Sequence, residues 1–312
     1  PKYEGRFVSE FGMQSYPSLA CLESVLPESE RFPQSRTVVH HNRAFTPGLG
    51  PDGHRRMAVY LADNLRDPVT LGNYVYSTQF VQGEAMKYAY SWFRRRWGTP
   101  GKRAVGGALV WQLNDCWPVS SWAIVDSFGI PKPAYYTIKR ELASVTRGLW
   151  RTEDGCDIWA TNSQEGSGKG TLELHAYNFE GKEIASEKRQ VTINPNSTTE
   201  FGTWDIKDAM VISARLLRET SVIARATLWS EPFKYYEIPN PELEVEQLSK
   251  TQLKLSVRKP AKGVWLNASC DDNFFDIMPG DDVIVEVPEL PDELKVQWLG
   301  GESLVKLAVF VA

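Results

Sequence analysis

A chain of 312 residues is long enough for two or three domains and a sizeable core. Its 35 Lys and Arg stand against 39 Asp and Glu with neither sign collected into a block, which argues against nucleic acid or an anionic membrane surface as partner. No apolar run approaches the roughly 20 residues of a bilayer span. The 11 Trp, 12 Tyr and 13 Phe suit a carbohydrate cleft and a β-sandwich core equally well, so composition alone only leans toward sugar. The cysteines Cys21, Cys116, Cys156 and Cys270 are far apart, with no C-x-x-C pair and no Cys/His cluster. Neither a zinc site nor a disulfide framework is indicated, and no metal or organic cofactor is expected.

The opening "PKYEGRFVSE" has no initiator Met and no charged-then-apolar leader, and it reads as an entry into the middle of a longer chain. The first expected element is a short apolar strand that ends on Glu10. A helix is expected over His54–Arg66. A longer one starts at Leu71, where apolar positions recur at three- and four-residue steps as far as the basic Arg94, Arg95 and Arg96. "GGALVWQLND" then reads as a fully buried strand of parallel type over Ala108–Trp111. "PAYYTIKRELASV", Pro133 to Val145, opens with proline in a first-turn position and reads as a third helix.

Beyond about residue 150 the helical period gives way to alternating stretches: "CDIWATN", "TLELHAYN", "RQVTIN", "SVIARATLW", "QLKLSVRK", "GVWLNAS", "DVIVEV", "ELKVQWL" and "LVKLAVFV". Turn signals at Asn194-Pro195, Glu180-Gly181 and Pro279-Gly280 separate them, a pattern expected of sandwich domains. The proline-rich "EPFKYYEIPNPELE" is the expected joint between two of them. Strand tryptophans Trp159, Trp229, Trp265 and Trp298 are expected in the cores.

A strand ending in Glu10, helices, a second strand ending near Trp111 and a closing helix make about a quarter of a (β/α)₈ barrel, which in full needs about 250 residues. Functional groups of such barrels project from the C-terminal ends of strands, where Glu10 and Trp111 both fall. Glu10 reads either as a solvated or salt-bridged strand-end acid or as a carboxylate nucleophile or general base. In "WQLNDCWPVSSW", Trp117 and Trp122 serve equally as covers of a barrel end, whereas Trp111, on the same rim as an acid, makes a floor for a sugar ring. His40 and His41 lie in the loop after the first strand, where anchoring roles are expected ahead of a place beside the substrate.

"RFVSEFGMQSYPS" together with "GALVWQLNDCWPVSSWAIVDSFGIPKPAYY" resembles the β-mannosidases of glycoside hydrolase family two, and "DNFFDIMPGDD" at 272–282 is similar to a phrase in that family's last immunoglobulin-like domain. The resemblance covers essentially the whole chain. It implies the last two βα units of a (β/α)₈ TIM barrel over residues 1–147, then immunoglobulin-like β-sandwiches over 148–236 and 237–312. Carried over by motif, Glu10 matches the catalytic nucleophile and Trp111 the tryptophan that floors the sugar subsite, with a cis peptide after it. Asn114 and Trp117 are candidate substrate-binding residues, while Gln14 and Asp115 match the motif without an assigned role.

The family's acid/base glutamate, in an Asn-Glu pair at the end of the fourth barrel strand, has no counterpart ahead of Glu10. The implied activity is therefore retaining hydrolysis of terminal β-D-mannose residues by the intact protein, with this chain alone inactive. The implied partners are a β-mannoside or N-glycan-derived substrate and a missing N-terminal part of the same protein. A β-galactosidase or β-glucuronidase of the same family, and a carbohydrate-binding fragment without catalysis, are the alternatives.

Overall fold

The computed structural model describes residues 5–46, 50–51 and 53–307. They form two compact units, one containing the chain up to Ala143 together with Glu231–Tyr236, the other Ser144–Ser230 together with the chain from Glu237 onward.

The first unit runs β1 (Phe7–Phe11), α1 (Leu19–Glu23), α2 (Arg36–His40), the two-residue strands β2 (Phe45–Thr46) and β3 (Gly50–Pro51), α3 (Gly53–Asn64), α4 (Leu71–Trp97), β4 (Gly107–Val110) and α5 (Pro133–Glu141). Hydroxyl side chains start three of the helices. Ser18, Ser35 and Thr70 each accept a hydrogen bond from a backbone N–H of the first turn, which satisfies a donor the helix itself leaves orphaned. The long helix stops at Gly98, whose φ of 67° suits glycine, just after Arg94, Arg95 and Arg96 have placed positive charge at its C-terminal end.

The helix expected over Pro133–Val145 ends sooner. Leu142 caps α5, and Val145 already pairs with Asn162 in a strand, because the β-branched Val145 and Thr146 fit a buried pleat better than a last helical turn.

Strands β1 and β4 run parallel, as expected of βα units, and cover one face of α4. Val8 packs with Phe93 and Val105, and Phe11 meets Tyr90 and Phe93 edge-on at centroid distances of 5.1 and 5.4 Å. The expectation of a fully buried second strand is corrected here. Ala108 and Val110 face the helices, but Leu109 is 54% exposed and Trp111 49%, since among the described residues β4 has only β1 as a sheet neighbour. Glu231–Tyr236 packs into this unit through Phe233 on Phe80, Lys234 Nζ donating to the Ala62 carbonyl at 2.7 Å, and Arg66 donating to the Tyr236 carbonyl at 3.1 Å.

The second unit is two sandwiches. The first comprises β5 (Val145–Thr152), β6 (Gly155–Asn162), β7 (Gly168–Tyr177), β8 (Glu183–Ile193), β9 (Ser197–Trp204), β10 (Val211–Arg218) and β11 (Ser221–Trp229). Sheets β11-β10-β7-β8 and β5-β6-β9 close on a core of Ile158, Leu172, Leu174, Ile212 and their neighbours. The second comprises β12 (Glu244–Gln247), β13 (Gln252–Ser256), β14 (Ala261–Leu266), β15 (Phe275–Ile277), β16 (Val283–Glu286), β17 (Glu293–Trp298) and β18 (Gly301–Lys306), in sheets β12-β13-β16 and β15-β14-β17-β18. The end of the stretch "LVKLAVFV" lies outside the described residues. Trp159, Trp229 and Trp298 are buried, as expected, and Trp265 is half-buried.

The "DNFFDIMPGDD" stretch ties these sandwiches together. Asp276 accepts from Thr227 Oγ1, Trp229 Nε1 (3.0 Å), the Gly263 N–H (2.8 Å) and the fully buried Lys262 ammonium (3.1 Å), while Asp281 pairs with Arg215 and Arg225 at 3.2 and 3.0 Å. A carboxylate this well supplied with donors offsets much of the cost of its burial.

Candidate active-site rim

Parity along β1 decides where Glu10 points. Val8 and Phe11 both face the helices although they are three residues apart, which a regular strand with its two-residue period does not allow. The register explains it: Val8 pairs with Ala108 and Phe11 with Val110, so β1 carries one extra residue between them. Such a bulge re-aims a side chain. Glu10 is thereby turned away from the helices and is exposed. On β4 the helix-facing Ala108 and Val110 put Leu109 and Trp111 on that same open side.

The two strand ends are stitched closely. The Trp111 N–H donates to the Phe11 carbonyl at 2.7 Å, and Trp111–Gln112 is a cis peptide, as the motif implies. Gly12 permits the approach, because a Cβ there would lie 2.1 Å from the Trp111 carbonyl oxygen.

Trp117, half-buried, lies against the His41 ring at a centroid distance of 4.8 Å, with the Arg43 guanidinium 5.9 Å from its ring centre. His41 Nδ1 is 2.5 Å from the Pro118 carbonyl, so this histidine anchors the tryptophan loop, the role anticipated for it. Asn114 is exposed, with its amide donating to the Asp115 carbonyl at 3.2 Å. Gln14 is buried and accepts from Asn42 at 3.5 Å. Glu10, Trp111 and Asn114 thus emerge exposed near the ends of two neighbouring strands, and Trp117 is held in the loop that follows.

Beneath the rim lies a polar layer the sequence reading did not assemble. Asp115 accepts from Ser121 Oγ at 2.7 Å, and its other oxygen is 4.0 Å from Lys132 Nζ. Lys132 donates to Ser15 Oγ at 3.4 Å. Ser15 donates to Gln82 Oε1 at 2.8 Å, and Gln82 Nε2 donates to the Met13 carbonyl at 2.8 Å and to the Trp122 and Ala123 carbonyls at 3.2 Å. Burial pushes the Asp115 carboxyl up, with Lys132 pulling the other way, and burial pushes the Lys132 ammonium down to about 8 against the pull of Asp115. The one available signal was a lysine directly before a first-turn proline, where a capping side chain is the usual choice.

Known proteins resemble this chain in its sandwiches and along most of its length. Residues 154–235 match the "Mannosidase Ig/CBM-like domain" family and residues 238–300 an "Ig-fold domain" family. Two proteins named beta-mannosidase B, from Emericella nidulans and Aspergillus niger, are each 37% identical over 95% of this chain. The chain spans 38% of the length of these relatives. The crystal structure of a beta-D-mannosidase from Dictyoglomus thermophilum superimposes with a TM-score of 0.80 at 25% identity, covering 97% of this chain and 37% of that one. An Amycolatopsis orientalis exo-chitosanase, at 14% identity and a TM-score of 0.73, shares the fold. With two parallel strands presenting an acid and a tryptophan, two immunoglobulin-like sandwiches and relatives alike along nearly all of its length, the chain is similar to part of the β-mannosidases of glycoside hydrolase family two.

Proposed function

We propose that the intact protein hydrolyses terminal β-D-mannosides with net retention, and that Glu10 is its nucleophile. The observation that carries this is the bulge in β1, which turns Glu10 to the open face on which Trp111 also emerges. In the double displacement, the Glu10 carboxylate attacks the anomeric carbon while a second carboxyl group about 5 to 5.5 Å away protonates the leaving oxygen and then activates water. In this reading that second group comes from the rest of the intact protein. Trp111 offers the sugar an exposed aromatic face beside the nucleophile. Asn114 and Trp117 serve the rim of the subsite, and without the acid/base partner the chain by itself is inactive.

The domain plan that goes with this reading is residues 1–147 for the end of the barrel and 148–236 and 237–312 for the two sandwiches. Sugar binding by the sandwiches would need exposed coplanar rings, and Trp159, Trp229 and Trp298 are instead in their cores.

The test uses full-length protein with chromogenic β-mannoside, β-galactoside and β-glucuronide, and a 2-fluoro-β-mannosyl fluoride as trap. The mannoside is expected to be the preferred substrate, Glu10→Gln to lose most of kcat with its fold intact, and the trap to label Glu10. A trapped sugar on any other residue overturns the assignment of Glu10, and preference for another glycoside overturns the substrate.

A further inference from the structure

A lysine and an aspartate buried together are an expensive way to fill a core. Replacing such a pair by apolar residues is often neutral or stabilising, by about 1–4 kcal/mol, so a retained pair invites the question of what it holds. Lys132 is 1% exposed, and Asp115 Oδ2 is buried with no hydrogen bond of its own beyond the approach of the ammonium.

Both groups sit where the two rim segments meet. Ser15 follows Glu10 by five positions and Asp115 follows Trp111 by four, and Lys132 reaches both. The segments also bond through Ser15 N–H to the Ser121 carbonyl at 2.9 Å and the reverse bond at 3.1 Å, and the Ser121 hydroxyl returns to Asp115.

We infer that Lys132 is a positioning residue, whose buried ammonium pins the segment carrying Glu10 to the segment carrying Trp111 through Ser15 and Asp115. Without its charge, Asp115 is left as an uncompensated buried carboxylate that takes up a proton, and the segment carrying Trp111 loses this tie to the segment carrying Glu10. The ionisable groups facing Lys132 are Asp115 from the loop after β4, Asp126 from the turn before α5 and Cys21 from α1. Asp126 is committed to Ser18 and to the N–H groups of Phe128 and Ile130, which leaves Asp115 as the responsive partner. Burial lowers Lys132 into a range where the pin is released at moderately alkaline pH.

The kinetic part of the test rests on the proposed role of Glu10, whereas the spectroscopic part does not. Full-length protein is labelled with 5-fluorotryptophan and the Trp111 resonance identified by Trp111→Phe. The ¹⁹F signal of Trp111 is expected to titrate with a midpoint near the Lys132 value of about 8, and to be flat in Lys132→Met. Lys132→Met/Asp115→Leu removes both charges and is expected to fold as well as the parent, yet to lose about 10- to 100-fold in kcat, the scale expected of an ångström-sized misplacement. A Trp111 signal that does not titrate in the parent, or a double variant with the parent's Trp111 signal and kcat, overturns the inference. Trapping on a residue other than Glu10 with the ¹⁹F titration intact overturns only the nucleophile assignment.

Discussion

Gly12→Ala tests how tightly the two strand ends are joined. The new methyl carbon would lie 2.1 Å from the Trp111 carbonyl oxygen and 3.2 Å from Trp122 Cδ1. The first contact is with backbone, so no side-chain rotation relieves it, and the strand exits must part by about an ångström. That separation stretches the Trp111 N–H bond to Phe11, now 2.7 Å, whose loss costs about 0.5–1.5 kcal/mol, and overpacking adds about 1–3 kcal/mol. Opposing them is the gain of about 0.4–1 kcal/mol from a stiffer unfolded chain.

The clash wins, with a net destabilisation of about 1–3 kcal/mol, which corresponds to roughly 2–12 °C in the melting transition of a unit this size. Gly166→Ala is the control, since nothing lies within 4 Å of its Cβ position. Differential scanning calorimetry of the two variants beside the parent makes the comparison. A Gly12→Ala protein that melts with or above the parent refutes the close approach of β1 to Trp111.

Two further predictions concern the sandwiches. Asp276→Ala takes away the carboxylate partner of the Lys262 ammonium, which is 1% exposed, and is expected to cost about 3–5 kcal/mol in urea unfolding, with Asp276→Ala/Lys262→Met recovering most of it. A single variant within 1 kcal/mol of the parent by the linear extrapolation would show that the cluster contributes little. Glu173 is held below the usual carboxylate range by its bond to Lys188 at 2.7 Å, against the cost of desolvation, and further by Arg215 at 2.6 Å. A lowered folded value means that its contribution is fully present above the unfolded value of about 4.3 and is lost as pH falls through the folded one. Glu173→Gln is therefore expected to be less stable at pH 7 and to close the gap to the parent as pH falls through the lowered folded value of Glu173; a gap that persists at low pH contradicts the ion-pair account.

What was legible in the sequence was whatever a local period or a long motif could carry. The helix from Leu71 announced itself by its apolar spacing, and β6, β7 and β11 by their alternation. "VISARLLR", which forms β10, mixes Leu and Arg that favour helices with an alternation too weak to separate from them, and the polar "STTEFGTW" of β9 is an edge strand with only one buried face to mark it. Exposure of Leu109 escaped notice because an apolar run reports its preference for burial and not the neighbours available to it. The extra residue in β1 was equally invisible, since "FVSEF" alone does not say that Val8 and Phe11 share a face. Lys132 lies 17 positions from Asp115 and 117 from Ser15, distances over which no sequence pattern signals that a lysine is buried.

The return of Glu231–Tyr236 to the helices has a consequence for biosynthesis. Phe233 against Phe80, and the Lys234 and Arg66 bonds, are contacts between the α3–α4 region and residues that leave the ribosome only after β5 to β11 have been made. The helical unit therefore waits for its Phe233 contact to Phe80 until translation has passed the whole first sandwich. Domains generally complete folding in the order in which they emerge. Here the order is inverted for one clasp, so a ribosome stalled before Glu231, or an expression boundary drawn there, leaves this unit with an open apolar seam.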